Sequence, residues 1–202
     1  DPNAPFVVRL HTPDEGHVTF QDAVRGEITV ENKELDDLII LRSDGTPTYH
    51  LSVVVDDEAM GITDVIRGDD HINNTPRQIH IMQALGYSIP RYAHLPMILG
   101  KDGKRLSKRH GAVSVLAYKE MGILFEAMRN YLLRLGWSHG DQEIFTLEEM
   151  IKYFDLDKVN HASAGFDNDK LVWVNQQYLK DIDHVTIAER LHPLLVQKDL
   201  YL

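Results

Sequence analysis

Between residues 51 and 99, short apolar runs bounded by turn residues alternate with one helical pattern, and that alternation constrains the fold more than any other feature. Leu51-Ser52-Val53-Val54-Val55 is a β-branched run ending at Asp56-Asp57, which reads as a strand buried on both faces of a parallel sheet. Residues 62–66 read as a second strand. A helix is expected next: Thr75 can cap it, Pro76 suits its first position and Gly86 suits its exit. Residues 94–99 read as a third strand that opens into a loop at Gly100. Strand, helix and strand joined by crossovers predict an α/β chain with a Rossmann-like unit.

The flanks differ in period. In residues 6–50, Val18 and Phe20 alternate with polar neighbours, as do Ile28 and Val30, and Ser43-Asp44-Gly45-Thr46 is a turn signal, so antiparallel β structure is expected. From about residue 115 the pattern is helical. Phe125, Met128, Leu132 and Leu135 follow 3-4-3 spacing, one stripe of an amphipathic helix. Thr146-Leu147-Glu148-Glu149 is a capping box with Phe145 and Met150 placed as a hydrophobic staple, and Leu147, Ile151 and Phe154 are expected to form that helix's buried face.

A length of 202 residues allows one good core or two small ones. The longest apolar runs are strand-sized, so no membrane span is expected, and residues 1–15 carry Asp, Pro and Glu rather than a basic-then-apolar leader pattern. There is no cysteine, which excludes disulfides and thiolate metal sites and is compatible with a reducing cytoplasm. Asp1-Pro2-Asn3-Ala4-Pro5 reads as linker and residues 191–202 as a helix entering a further unit, so the chain is expected to be part of something longer.

Net charge is −10, which by itself argues against a phosphate partner. Yet Lys101, Lys104, Arg105, Lys108 and Arg109 fall within nine positions, and focused basic charge can build a phosphate site on an acidic protein. In Gly100-Lys101-Asp102-Gly103-Lys104-Arg105-Leu106-Ser107-Lys108-Arg109-His110-Gly111, two glycines permit tight turns ahead of the basic run, and Ser107 and Lys108 offer a hydroxyl and a mobile charge. Such a loop suits a lid over a polyphosphate, or else a solvated surface loop. Neither a Walker loop nor a G-x-G-x-x-G fingerprint is present.

Arg105-Leu106-Ser107-Lys108-Arg109 resembles the "KMSKS" signature of class I aminoacyl-tRNA synthetases, and His110-Gly111-Ala112-Val113-Ser114-Val115 follows it as in bacterial glutamyl-tRNA synthetases. Pro47-Thr48-Tyr49-His50, Val54-Val55-Asp56-Asp57, Asp64-Val65-Ile66-Arg67-Gly68-Asp69-Asp70-His71, Asn73-Asn74-Thr75-Pro76-Arg77-Gln78 and Leu135-Gly136-Trp137-Ser138 match the same family. The resemblance runs from about residue 6 to residue 180. Arg109 stands for the last Ser of the signature, as is common in this family; the departures are Arg105 in place of the first Lys and the absence of the "HIGH" signature.

The resemblance implies a glutamate–tRNA ligase: ATP-dependent activation of glutamate to glutamyl-adenylate, with Mg²⁺ on the phosphates, then transfer to the 3′ end of tRNA(Glu) in the cytoplasm. It implies that Lys108 contacts the phosphates and stabilises departing pyrophosphate, that Arg105, Leu106, Ser107, Lys108 and Arg109 close over ATP, and that Asp70, with His71 beside it, contacts ATP. Arg67 is expected to pair with a carboxylate of glutamate and Tyr49 to line the amino-acid pocket, chemistry that suits a guanidinium. It also implies domains: 1–50 in the acceptor-stem-binding insertion, 51–115 the second half of the Rossmann domain, 116–184 a helical stem-contact region and 185–202 the start of the anticodon-binding part. Without the N-terminal half of the same protein, this chain is expected to carry half a site and to be inactive alone.

Other roles remain open for the same residues. Arg67 suits an ion pair with Asp69 or Asp70, Tyr49 a core aromatic, and His71 a helix-start or packing histidine. Asp56-Asp57 suits capping, and the eleven histidines form no sequence-local zinc pattern. Trp137 and Trp173 are expected in the core, with stacking on RNA as the alternative. At the level of the chain, the alternatives are a non-catalytic tRNA-binding module, a glutaminyl-tRNA synthetase and a truncated tRNA-modifying paralogue.

Overall fold

The computed structural model describes residues 5–106 and 114–200. The chain divides into two compact units, Asp1–Met97 with Asp155–Ser163, and Ile98–Phe154 with Ala164–Leu202.

The first unit opens with β1 (Val8–Leu10), β2 (His17–Asp22), β3 (Gly26–Glu31) and β4 (Leu38–Leu41). As the alternating pattern predicts, β2 and β3 form an antiparallel hairpin and β1 pairs antiparallel with β4. The turn at 43–46 forms as read, with Gly45 at φ +80° and the Arg42 amide donating to the Thr46 carbonyl. Then come α1 (Tyr49–Ala59), β5 (Asp64–Gly68), a 3₁₀ turn (Asp69–Asn74), α2 (Thr75–Leu85) and β6 (Arg91–Leu95). Strand order in the four-stranded sheet is β3-β2-β6-β5, with β6 parallel to both β5 and β2, so the sheet is mixed. Its inner face packs Val18, Phe20 and Tyr92 against Ile79 of α2. The exit of α2 agrees with the sequence signal, Gly86 closing it at φ +71° in the left-handed region, but the start is corrected by one residue: Asn74 holds the N-cap position, Thr75 is the first helical residue and makes no cap hydrogen bond, and Pro76 lies in the first turn.

Residues 51–55 correct the first expectation. They lie in helix α1, not in a strand. A five-residue apolar run has no period, so it cannot distinguish a buried strand from a buried helix. Packing decides: Leu51 and Val54, three apart, share a cluster with Ile81 and Met82 of α2, while Val55 is left exposed. The helix ends at Met60-Gly61, where Gly61 has φ +66°. The strand expected at 62–66 forms two residues later, as β5.

The second unit holds β7 (Ile98–Leu99), α3 (Val115–Glu120), α4 (Phe125–Gly136), α5 (Leu147–Tyr153), β8 (Ala164–Gly165), α6 (Asn168–Asp181) and α7 (His184–Gln197). Its core joins Ala127, Met128 and Tyr131 of α4 to Leu171 and Val174 of α6. Asn130, fully buried, accepts from the Phe145 amide (2.9 Å) and the Tyr178 hydroxyl (3.1 Å) and donates to the Glu143 carbonyl (2.8 Å), tying both helices to the intervening segment. The capping box at Thr146 and Glu149 is present in both directions, and Phe145 and Met150 share one cluster with Trp137.

Three helical expectations are corrected. Phe125 and Leu132 are exposed, so the buried face of α4 is Ala127, Met128, Asn130 and Tyr131. On α5 it is Met150 that is buried, whereas Leu147, Ile151 and Phe154 stay exposed. Trp137 is in the core as expected, but Trp173 is exposed, with the Lys170 ammonium 4.1 Å above its ring. Among the described residues no helix is long and apolar enough to cross a membrane.

Candidate functional site

Side chains alternate across a strand, so Val18, Phe20 and Asp22 share one face of β2. Tyr92 and His94 share the same face of β6, and Val65 and Arg67 that of β5, because Asp22 pairs with Tyr92 and Arg67 with His94 in the parallel registers. The apolar members form the core. The polar members, Asp22, His94 and Arg67, form a row at the carboxyl ends of three neighbouring strands, where open α/β sheets place their ligands.

The row is joined by hydrogen bonds from end to end. Asp22 Oδ1 accepts from the amides of Val24 (3.0 Å) and Arg25 (2.8 Å), which closes the β2–β3 turn. Its Oδ2 accepts from the His94 amide (3.0 Å) and from His94 Nδ1 (2.6 Å), and neither side chain has any exposure. Burial pushes the Asp22 carboxyl up, but these hydrogen bonds together outweigh it and hold the group below its usual range. Burial is also the largest influence on His94; it lowers the imidazole against the opposing pull of Asp22, so His94 is neutral at pH 7. With Nδ1–H donated to Asp22, His94 Nε2 is the acceptor, and Arg67 Nε donates to it at 3.1 Å. Arg67 Nη2 donates to Thr75 Oγ1 (2.8 Å) and Gln78 Oε1 (2.9 Å) from α2. The Tyr92 ring lies 5.6 Å below the guanidinium carbon.

Arg67 therefore does not pair with Asp69, which binds Arg25 at 2.5 Å instead. Tyr49 is about half exposed rather than a core aromatic; its hydroxyl lies 3.5 Å from His71 Nδ1, to which the Asn74 amide donates at 3.1 Å. Asp70 is exposed and lies two residues past Gly68, where an added Cβ would stand 2.6 Å from Asp70 Oδ1 and would make that side chain shift. Two buried polar atoms beside these groups, Gln78 Nε2 and His50 Nδ1, have no hydrogen-bond partner among the described residues. A buried donor left unmade costs about 1–3 kcal/mol, so a ligand carrying acceptors fits this end of the sheet.

In the second unit, Gly100–Arg105 makes a tight hairpin turn. The Gly100 amide donates to Lys104, Gly103 has φ +74°, and Asp102 Oδ1 accepts from the Lys104 amide (3.0 Å). The Leu106 amide donates to the Ile98 carbonyl, and its side chain packs on the α4–α6 core, anchoring the start of the basic motif. Ser107, Lys108 and Arg109 lie outside the described residues. Among the described residues no three of His, Asp and Glu converge to hold a metal.

Asp22, His94, Thr75 and Gln78 are not read as site residues from the sequence, where Thr75 is expected only as a helix cap. The available signal was Asp22 itself, a charge continuing the inward register of Val18 and Phe20.

A mixed α/β sheet with a polar row at the carboxyl ends of its strands defines the class. The sequence model of the family described as tRNA synthetases class I (E and Q), catalytic domain, matches residues 1–173, and the chain belongs to that family. It is 59% identical over 192 residues to glutamate–tRNA ligase 2 of Halorhodospira halophila, covering 95% of this chain and 41% of that protein. It is 61% identical over 189 residues to glutamate–tRNA ligase of Nitrosospira multiformis, covering 94% of this chain and 41% of that protein. The chain thus spans about two fifths of the length of the curated relatives it matches. Among solved structures it is similar to a glutamate tRNA ligase from Elizabethkingia meningosepticum in complex with its amino acid, with TM-score 0.87 and 34% identity, covering all of this chain and 44% of that one.

Proposed function

We propose that this chain supplies part of the active site of a glutamate–tRNA ligase, with Arg67 binding a carboxylate of glutamate and Tyr49 lining the amino-acid pocket. The observation that carries this reading is the state of Arg67. Its Nε and Nη2 are held by neutral acceptors, and Nη1 has no hydrogen-bond partner among the described residues. A guanidinium held without a carboxylate keeps its charge for a ligand that has one.

The remaining roles rest on the family resemblance. Asp70 and His71 contact ATP, as do Arg105, Leu106, Ser107 and Arg109, and Lys108 neutralises the phosphates as pyrophosphate leaves. ATP arrives as its magnesium complex. The glutamate α-carboxylate attacks the α-phosphorus, the bond to the β,γ-pyrophosphate breaks, and the terminal ribose hydroxyl of tRNA(Glu) then displaces AMP from the adenylate. The chain's part is positioning and charge neutralisation. Residues 1–50 would serve the acceptor stem, 51–115 the second Rossmann half, 116–184 the stem-contact region and 185–202 the anticodon-binding part, in a cytoplasmic enzyme.

The test is glutamate-dependent ATP–pyrophosphate exchange with tRNA(Glu), run on the chain alone and with a polypeptide supplying the N-terminal length of its relatives. Activity only on complementation, lost in Arg67→Ala and Lys108→Ala, supports the reading. Activity of the chain alone would overturn its incompleteness. No exchange from a folded complemented sample that still binds tRNA would favour a binding module.

A further inference from the structure

We propose that Asp22 and His94 are positioning residues that orient Arg67 toward a carboxylate ligand, with Asp22 fixing the His94 tautomer and His94 Nε2 fixing the guanidinium plane. The proposal rests on the reading of Arg67 as the glutamate-binding arginine.

The geometry carries it in three steps. Asp22 is anchored by four backbone contacts from Val24, Arg25 and His94, so its carboxylate cannot follow a moving partner. It takes the His94 Nδ1 proton at 2.6 Å, which leaves the lone pair of the neutral ring on Nε2. That lone pair meets Arg67 Nε at 3.1 Å, across adjacent parallel strands whose register makes the two residues partners. Thr75 Oγ1 and Gln78 Oε1 then accept from Nη2 along the same edge of the guanidinium, and Thr75 Oγ1 also lies 3.1 Å from His94 Nε2, so three neutral acceptors fix that edge of the fork. The negative charge of Asp22 stands one imidazole away from Arg67. A direct carboxylate partner would orient the guanidinium equally well but would compete with the ligand; the relay orients without competing.

The charged and titratable groups facing His94 are Asp22 from β2, Arg67 from β5, His71 from the 3₁₀ turn, and Tyr92 from β6, whose ring stacks on it at 5.9 Å. Thr75 and Gln78, on α2, are uncharged. Phe20 meets the His94 ring edge-on at 6.4 Å. A second proton on His94 would turn Nε2 from acceptor to donor against the Arg67 fork, so carboxylate binding weakens in acid.

Two measurements test this. Ring ¹⁵N spectra of the 202-residue chain should show His94 as a neutral Nδ1–H tautomer at pH 7; an Nε2–H tautomer or a charged ring would overturn the proposal without any variant. In a full-length synthetase carrying these residues, His94→Ala should raise the glutamate KM about tenfold or more while leaving the ATP KM near wild type. His94→Gln, whose amide oxygen can take the place of Nε2, should return glutamate KM to within about threefold and flatten its rise below pH 6.5. A large effect of Arg67→Ala beside a wild-type glutamate KM in His94→Ala would overturn the positioning role alone. An unchanged glutamate KM in Arg67→Ala would overturn the assignment of Arg67 and the positioning role with it.

Discussion

His94, His50 and His80 all sit where burial is the leading influence, and each is lowered below the ordinary 6.5. Each binds a proton more readily unfolded than folded, so unfolding takes up protons and stability rises with pH across that window. Their contribution is complete above pH 6.5 and is lost as pH falls through 6.5 toward the lowered folded values. Each histidine can add a slope of at most about 1.4 kcal/mol per pH unit. Urea unfolding of the chain between pH 7 and 5 should therefore show a falling midpoint, and His94→Gln should make the fall shallower. An equal slope in that variant would mean His94 titrates normally. Asp22, held below its ordinary value, adds acid sensitivity only below about pH 3.8. The Tyr92 phenol beneath Arg67, pushed up to about 12 by burial, stays neutral throughout.

At the scale of elements, helix ends were more legible than helix faces. Gly86 closed α2, Pro76 fell in its first turn, and Thr146 with Glu149 started α5, because caps answer a local need of unpaired backbone groups. Faces answer to neighbours. Leu147, Ile151 and Phe154 have helical spacing but remain exposed in this chain, with Met150 turned inward instead. Two substitutions check the local terms. Thr146→Ala should cost about 1 kcal/mol through the lost cap. Gly86→Ala should cost about 1 kcal/mol through left-handed strain alone, since nothing lies within 4 Å of an added Cβ, and Gly86→Asn should cost less. Wild-type stability in Gly86→Ala, by urea titration, would mean the helix exit is not held in that conformation.

On the whole-molecule scale, each of the five hydrophobic clusters among the described residues lies within one of the two units. Ile79→Ala in the first unit and Leu171→Ala in the second should each cost about 2–5 kcal/mol, the range for emptying a packed site. With no shared partner, their effects should add to within about 0.5 kcal/mol in the double variant, measured by denaturant unfolding. A larger shortfall or excess would show coupling between the cores.

The sequence alone determined the α/β class, the hairpin, the capping box of α5, the glycine exit of α2 and the family, since each is written in neighbouring residues or in ordered motifs. Arg67 and Tyr49 stood out through those motifs. Only the tertiary structure decided that residues 51–55 are helical, because a short apolar run takes its conformation from what it packs against. It alone revealed the row of Asp22, His94 and Arg67, whose outer members are 45 positions apart in the chain. That row depends on parallel strand register, and register is set when strands pair across the sheet, not by any pattern local to one strand.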